Sequence, residues 1–156
     1  FRKNFPRATC ILDFYHASEH VANLARAVQP RDEEAFQEQT HAWCHQLKHE
    51  GGAALLATLE QLPLDEASAT VKEIHRQETQ YLRNNVRRTD YPTYLARGWQ
   101  IGSGPVEAAC KSVVGQRLKG SGMRWGDDGA DALCRLRALY LSETNQWEAF
   151  WIAHPN

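Results

Sequence analysis

Apolar residues recur along most of this chain at intervals of three and four, the period of a helix with one buried face, and glycine or proline punctuates the pattern. Ala17, Val21, Leu24, Ala25 and Val28 line one such face until Pro30 stops it. Phe36, Thr40, Trp43 and Leu47 carry the pattern on to Gly51-Gly52, and Leu55, Leu56, Leu59 and Leu62 then make a short helix ending at Pro63. Val71, Ile74, Tyr81, Leu82 and Val86 predict a long helix from about Asp65 to Arg88. After Asp90-Tyr91-Pro92 a short helix or turn leads to Gly98-Trp99-Gln100-Ile101. A further helix is predicted from Pro105 to about Lys119, because proline suits the first helical position and Gly104 the cap before it; Gly120-Ser121-Gly122 breaks it. The last helix starts near Asp127-Asp128, carries Leu133, Leu136, Leu139 and Tyr140, and gives way to Trp147, Phe150 and Trp151. One stretch departs from this period. Ala8-Thr9-Cys10-Ile11-Leu12 is short, apolar and partly β-branched, and reads as a strand that delivers Asp13 at its C-terminal end.

The 156 residues suffice for one domain with a real core. Their net charge of −1 hides a strong asymmetry. From Arg31 to Leu82 ten acidic residues stand against four Lys or Arg; from Arg83 to Arg124 eight Lys or Arg stand against two acids, Asp90 and Glu107. The second stretch is the one a polyanion would bind. Cys10, Cys44, Cys110 and Cys134 are too scattered for a metal knuckle or a dense disulfide framework, which points to a reducing, cytosolic setting. No apolar run approaches the roughly 20 residues that span a bilayer, so no membrane partner is expected. The opening FRKNFPRATCILDF reads as a chain already under way, and the sequence is expected to be a fragment.

Five features carry possible chemistry, each with a plainer alternative. Glu107 falls in the first turn of its helix, where a carboxylate either answers the macrodipole and the free N–H groups or serves as a rigidly held metal ligand. Lys111, four residues on, either pairs with Glu107 across one helical turn or faces a phosphate. Asp13 is either a helix N-cap or a catalytic carboxylate at a strand end, and His16 either orients Asp13 or substrate or is an ordinary surface histidine. His41, His45 and His49 form one stripe of a charged helix; without the Glu of H-E-x-x-H, a solvated face is the better reading than zinc. The run KSVVGQRLKGSGMRW, from Lys111 to Trp125, has four cations and no acid. Ser121 rather than lysine follows Gly120, so it is no P-loop; Lys111, Arg117, Lys119 and Arg124 suit nucleic-acid phosphates, with Trp125 able to stack on a base, or else form a solvated basic helix with a core tryptophan.

LDFYH at 12–16 and IGSGPVEAACKSVVGQRLKGSGMRW at 101–125, followed by LCRLRALYLS and W-x-x-F-W, resemble the C-terminal half of DDE transposases of bacterial insertion sequences, specifically the ISKra family. The resemblance covers nearly the whole chain, most strongly residues 8–28 and 98–151. It implies a mainly α chain holding the C-terminal portion of a ribonuclease H-like α/β core, one strand plus helices, interrupted by an all-helical insertion. Residues 1–30 would be the last core strand and following helix, 31–90 the acidic helical insertion, and 91–156 the Glu-bearing basic helix and C-terminal helices. It further implies that Asp13 and Glu107 are the second and third carboxylates of a catalytic triad binding two Mg²⁺ (or Mn²⁺) ions, the first aspartate being upstream of Phe1. His16 would assist them, while Lys111, Arg117, Lys119, Arg124 and Trp125 grip double-stranded DNA at transposon ends and target. A homo-oligomer on DNA in the bacterial nucleoid and inactivity of the fragment alone are implied too. The rival from another class is a non-catalytic helical binding or interaction module left by a decayed or domesticated element.

Overall fold

The computed structural model describes residues 8–142 and 145–154. Residues 1–7, the opening of the segment expected at 1–30, lie outside the described residues. The described chain is mainly helical and falls into two compact units, one running to Gly102 and the other starting at Ser103.

The first unit is built from α1 (Phe14–Val28), α2 (Glu33–Glu50), α3 (Gly52–Glu60), α4 (Ala69–Asn85) and the short α5 (Tyr91–Ala96), with a 3₁₀ turn at Val86–Arg88. Each apolar face read from the sequence is the face that is buried. Ala17, Val21, Leu24 and Ala25 of α1 meet Trp43 and Leu47 of α2, Leu55 and Leu59 of α3, Leu82 of α4, and Tyr91 and Tyr94 of α5 in one core. Leu24, Leu47 and Leu55 lose all contact with solvent, and each contributes on the order of 1.5–3 kcal/mol of transfer free energy. Helix α1 packs on both α2 and α4, so the segments 1–30 and 31–90 share one core in their described parts.

The helix starts follow from capping. Asp32 accepts from the Ala35 amide at 2.9 Å, Ser68 from Val71 at 3.3 Å and Asp90 from Thr93 at 3.4 Å. The Ser68 cap is why α4 begins at Ala69 rather than near Asp65; Asp65 to Ala67 form a turn, and the Asp65 carbonyl accepts from Lys72 Nζ at 2.9 Å. The glycine pair between α2 and α3 has two separate causes. Gly51 takes φ +88°, a left-handed conformation that favours glycine, and a Cβ on Gly52 would lie 2.0 Å from Thr89 Oγ1.

No strand occurs among the described residues, so the strand expected at Ala8 to Leu12 is not shown. A strand needs a neighbour for its ladder, and here other groups take the backbone of Leu12. Its amide donates to the Arg88 carbonyl at 2.9 Å, and its carbonyl accepts from Tyr91 Oη at 3.1 Å. The segment is an irregular strap tied to the α4–α5 junction.

The second unit contains one helical rod, α6 (Gly104–Ala109), a π-helical segment (Cys110–Gly115) and the single turn α7 (Gln116–Leu118), followed by α8 (Asp127–Tyr140) and α9 (Gln146–Ala153). The predicted helix from Pro105 to about Lys119 is thus present, with a widened turn in its middle. None of this unit's described residues is buried. Arg137 of α8 is half-buried and bridges to the rod: Nη2 donates to the Ser112 carbonyl at 2.6 Å and Nε to the Val113 carbonyl at 3.0 Å. A π turn displaces carbonyls from their usual helical partners, and the guanidinium takes two of them.

Candidate functional site

Asp13 caps α1, and its Oδ1 accepts from the His16 amide at 2.9 Å. The capping role weighed from the sequence is therefore real, and it fixes the carboxylate at the positive end of a 15-residue helix. The His16 ring turns elsewhere: Nδ1 lies 3.2 Å from Glu19 Oε2, and the ring stands edge-on to His20 and Tyr81. It is the backbone of His16, rather than its imidazole, that holds Asp13.

Glu107 occupies the first turn of α6, again as the dipole reading expects, and its Oε1 accepts from Ser103 Oγ at 2.6 Å. Among the described ion pairs none joins Glu107 to Lys111. The hydroxyl four residues upstream has taken the place of the ammonium four residues downstream.

The fold brings together the beginnings of the two motifs. The Phe14 amide, next to Asp13, donates to the Ile101 carbonyl at 2.8 Å. The next residue, Gly102, lies under the Tyr15 ring so closely that a Cβ there would stand 3.1 Å from Cε2 and 3.9 Å from Asp13 Oδ2. Tyr91, whose hydroxyl holds Leu12, is in the same neighbourhood. Burial pushes its phenol well above the usual range, and the charge of Asp13 adds to that. Tyr15 itself is 73% exposed, an aromatic beside Asp13 that periodicity had no way to single out.

Asp13 belongs to the first unit and Glu107 to the second. Their donor chemistry, hard carboxylate oxygen, suits Mg²⁺ or Mn²⁺. Among the described residues no group of three or more His, Cys, Asp or Glu is gathered to hold a metal ion.

The basic run lies wholly in the second unit. Lys111, Arg117, Lys119 and Arg124 are exposed, and none of them enters a described ion pair. Trp125 is 44% exposed, so it is not the core tryptophan of the plainer reading. Arg137, the cation that does have a structural task, sat unnoticed in the apolar run LCRLRALYLS; an arginine inside such a stripe is the signal that marks it. His41, His45 and His49 are exposed on α2, as a solvated face requires. The four cysteines are free, and no helix of the described residues is long and apolar enough to cross a membrane.

Comparison with known protein families, with curated proteins and with solved structures finds no match to the chain.

Proposed function

We propose that this chain is the C-terminal part of the catalytic region of a DDE transposase similar to the ISKra family, acting in metal-dependent DNA strand cleavage and strand transfer. The observation that carries the reading is the Phe14–Ile101 hydrogen bond, which draws the approach to the Glu107 motif against the Asp13 motif although the two are far apart in sequence.

In this reading the ribonuclease H-like core is completed by a strand and an aspartate outside the chain, and Asp13 and Glu107 contribute two ligands to a pair of Mg²⁺ or Mn²⁺ ions. Such ions, when bound, activate the attacking hydroxyl and stabilise the leaving oxygen of a phosphodiester. The protein's own contribution is placement. The α1 start holds Asp13 through the His16 amide, and Ser103 donates to one carboxylate oxygen of Glu107. His16 serves through its backbone. Lys111, Arg117, Lys119 and Arg124 neutralise phosphates of double-stranded DNA, and Trp125 stacks at an unpaired end. The acidic helices, poor partners for DNA, suit protein contacts within a homo-oligomer assembled on transposon ends and target in the bacterial cytoplasm.

The test uses the native product that carries this chain, with its element's end sequences and Mg²⁺ or Mn²⁺. Asp13→Asn and Glu107→Gln are each expected to abolish end cleavage and strand transfer while leaving duplex binding in place. Parent-level strand transfer by either variant would overturn the assignment. Tight duplex binding with no cleavage by the parent product selects the non-catalytic binding module instead.

A further inference from the structure

We propose that His16 and His20 form a transition-metal chelate on the flank of α1 beside Tyr81 and Glu78 of α4, a site independent of the transposase reading. The two histidines are one helical turn apart, the spacing at which imidazoles on a helix share an ion. Their ring centroids are 5.3 Å apart. Two imidazoles bound through Nε2 to one tetrahedral zinc, each at about 2.0–2.1 Å, have centroids about 5 Å apart.

The second observation is what stands behind each ring. Nδ1 of His20 lies 2.6 Å from Glu78 Oε2, a carboxylate of α4, and Nδ1 of His16 lies 3.2 Å from Glu19 Oε2. An ionised carboxylate only accepts, so in the neutral form of each imidazole this contact puts the proton on Nδ1 and leaves the Nε2 lone pair for a ligand. Carboxylate backing of this kind is what metal-bound histidines ordinarily have, because it fixes the tautomer and raises ligand basicity. His20 is further clamped by Tyr81, stacked on it at 3.6 Å between ring centroids and 17° from parallel. The more exposed His16 ring has the freedom to adjust. Imidazole pairs select borderline ions such as Zn²⁺ over Mg²⁺. Among the described residues no group of three His, Cys, Asp or Glu is arranged to hold one ion, so water would complete the coordination.

The α2 stripe is the internal comparison. His45 and His49 have the same spacing and rings 4.3 Å apart, but no carboxylate backs either one among the described hydrogen bonds. The experiment is a Zn²⁺ titration of the chain by calorimetry, with the imidazole ¹⁵N resonances followed in parallel. Expected is binding that shifts Nε2 of His16 and His20, persists in the H45Q/H49Q double variant, and weakens at least about tenfold in H16Q and in H20Q, with E78Q also weaker. His16 is exposed, so H16Q leaves the fold intact, and helicity measured alongside verifies this. Unchanged Zn²⁺ affinity in H16Q, or binding abolished by H45Q/H49Q alone, overturns the proposal.

Discussion

The Phe14 amide donates to the Ile101 carbonyl at 2.8 Å, and this one bond fixes how the chain returns to the start of α1 after four intervening helices. Its neighbour Gly102 lies close beneath the Tyr15 ring. A Cβ at that position would press on Tyr15 at 3.1 and 3.3 Å, tighter than ordinary van der Waals contact.

Gly102→Val is therefore expected to destabilise the first unit by about 1–3 kcal/mol, the usual cost of overpacking. The loss comes from contact rather than backbone strain, since Gly102 is not among the glycines with positive φ. Adding Tyr15→Ala should recover more than half of it. Urea unfolding of the two single variants and the double variant measures the coupling, and a purely additive result would show that Tyr15 is not what Gly102 avoids.

Tyr91 ties the N-terminal strap to the α4–α5 junction through its hydroxyl, and burial holds its phenol well above the usual value of 10.0. A pKa raised in the folded state contributes stability that is fully present below the unfolded value and drains away as pH rises beyond it. The first unit is thus expected to lose stability from about pH 10 upward. Tyr91→Phe should flatten part of that decline and cost about 1 kcal/mol at neutral pH, because the Leu12 carbonyl loses its donor. Denaturation midpoints at pH 7, 9, 10 and 11 separate the two effects.

What the sequence disclosed, and what it did not, divides along physical lines. Helical faces were legible because Val21, Leu24, Leu47 and Leu59 each had to be buried on a 3.6-residue period, and the Gly51-Gly52 break because glycine has few other uses between two such faces. The form of the strap was not legible, because an apolar β-branched stretch looks the same whether its backbone meets another strand or, as here, the Arg88 carbonyl and the Tyr91 hydroxyl. Glu107 was found by its helix-start position and Asp13 by its place at the end of an apolar stretch, and the hydrogen-bond partners described for both, Ser103 and His16, are local. The meeting of Phe14 with Ile101 was illegible, since it depends on how five helices pack. The π turn escaped notice because the residue that stabilises it, Arg137, is distant in sequence.

That arginine gives a prediction about the second unit alone. Arg137→Ala should release the carbonyls of Ser112 and Val113 and loosen the widened turn, seen as faster amide hydrogen exchange across Cys110–Gly115. Bonds to a charged group contribute about 1.5–3 kcal/mol each when well shielded and less in a unit this open to water. Arg137→Lys should rescue poorly, because a single ammonium cannot match the planar fork that reaches both carbonyls. Protection in Arg137→Ala equal to the parent's would show that the π turn stands without it.

The last prediction concerns what the basic run is for. Lys119 and Arg124 follow the rod on and beyond its last turn, exposed and outside the described ion pairs. Each phosphate neutralised by such a cation adds about 0.9 to the slope of log affinity against log salt on duplex DNA. K119A/R124A is therefore expected to weaken binding to any duplex sequence and to lower that slope by about 2. Fluorescence anisotropy on one labelled duplex between about 50 and 200 mM salt suffices to read it. If affinity falls while the slope stays the same, the two side chains act through folding of the second unit. The phosphate contacts would then have to come from other cations between Arg83 and Arg117.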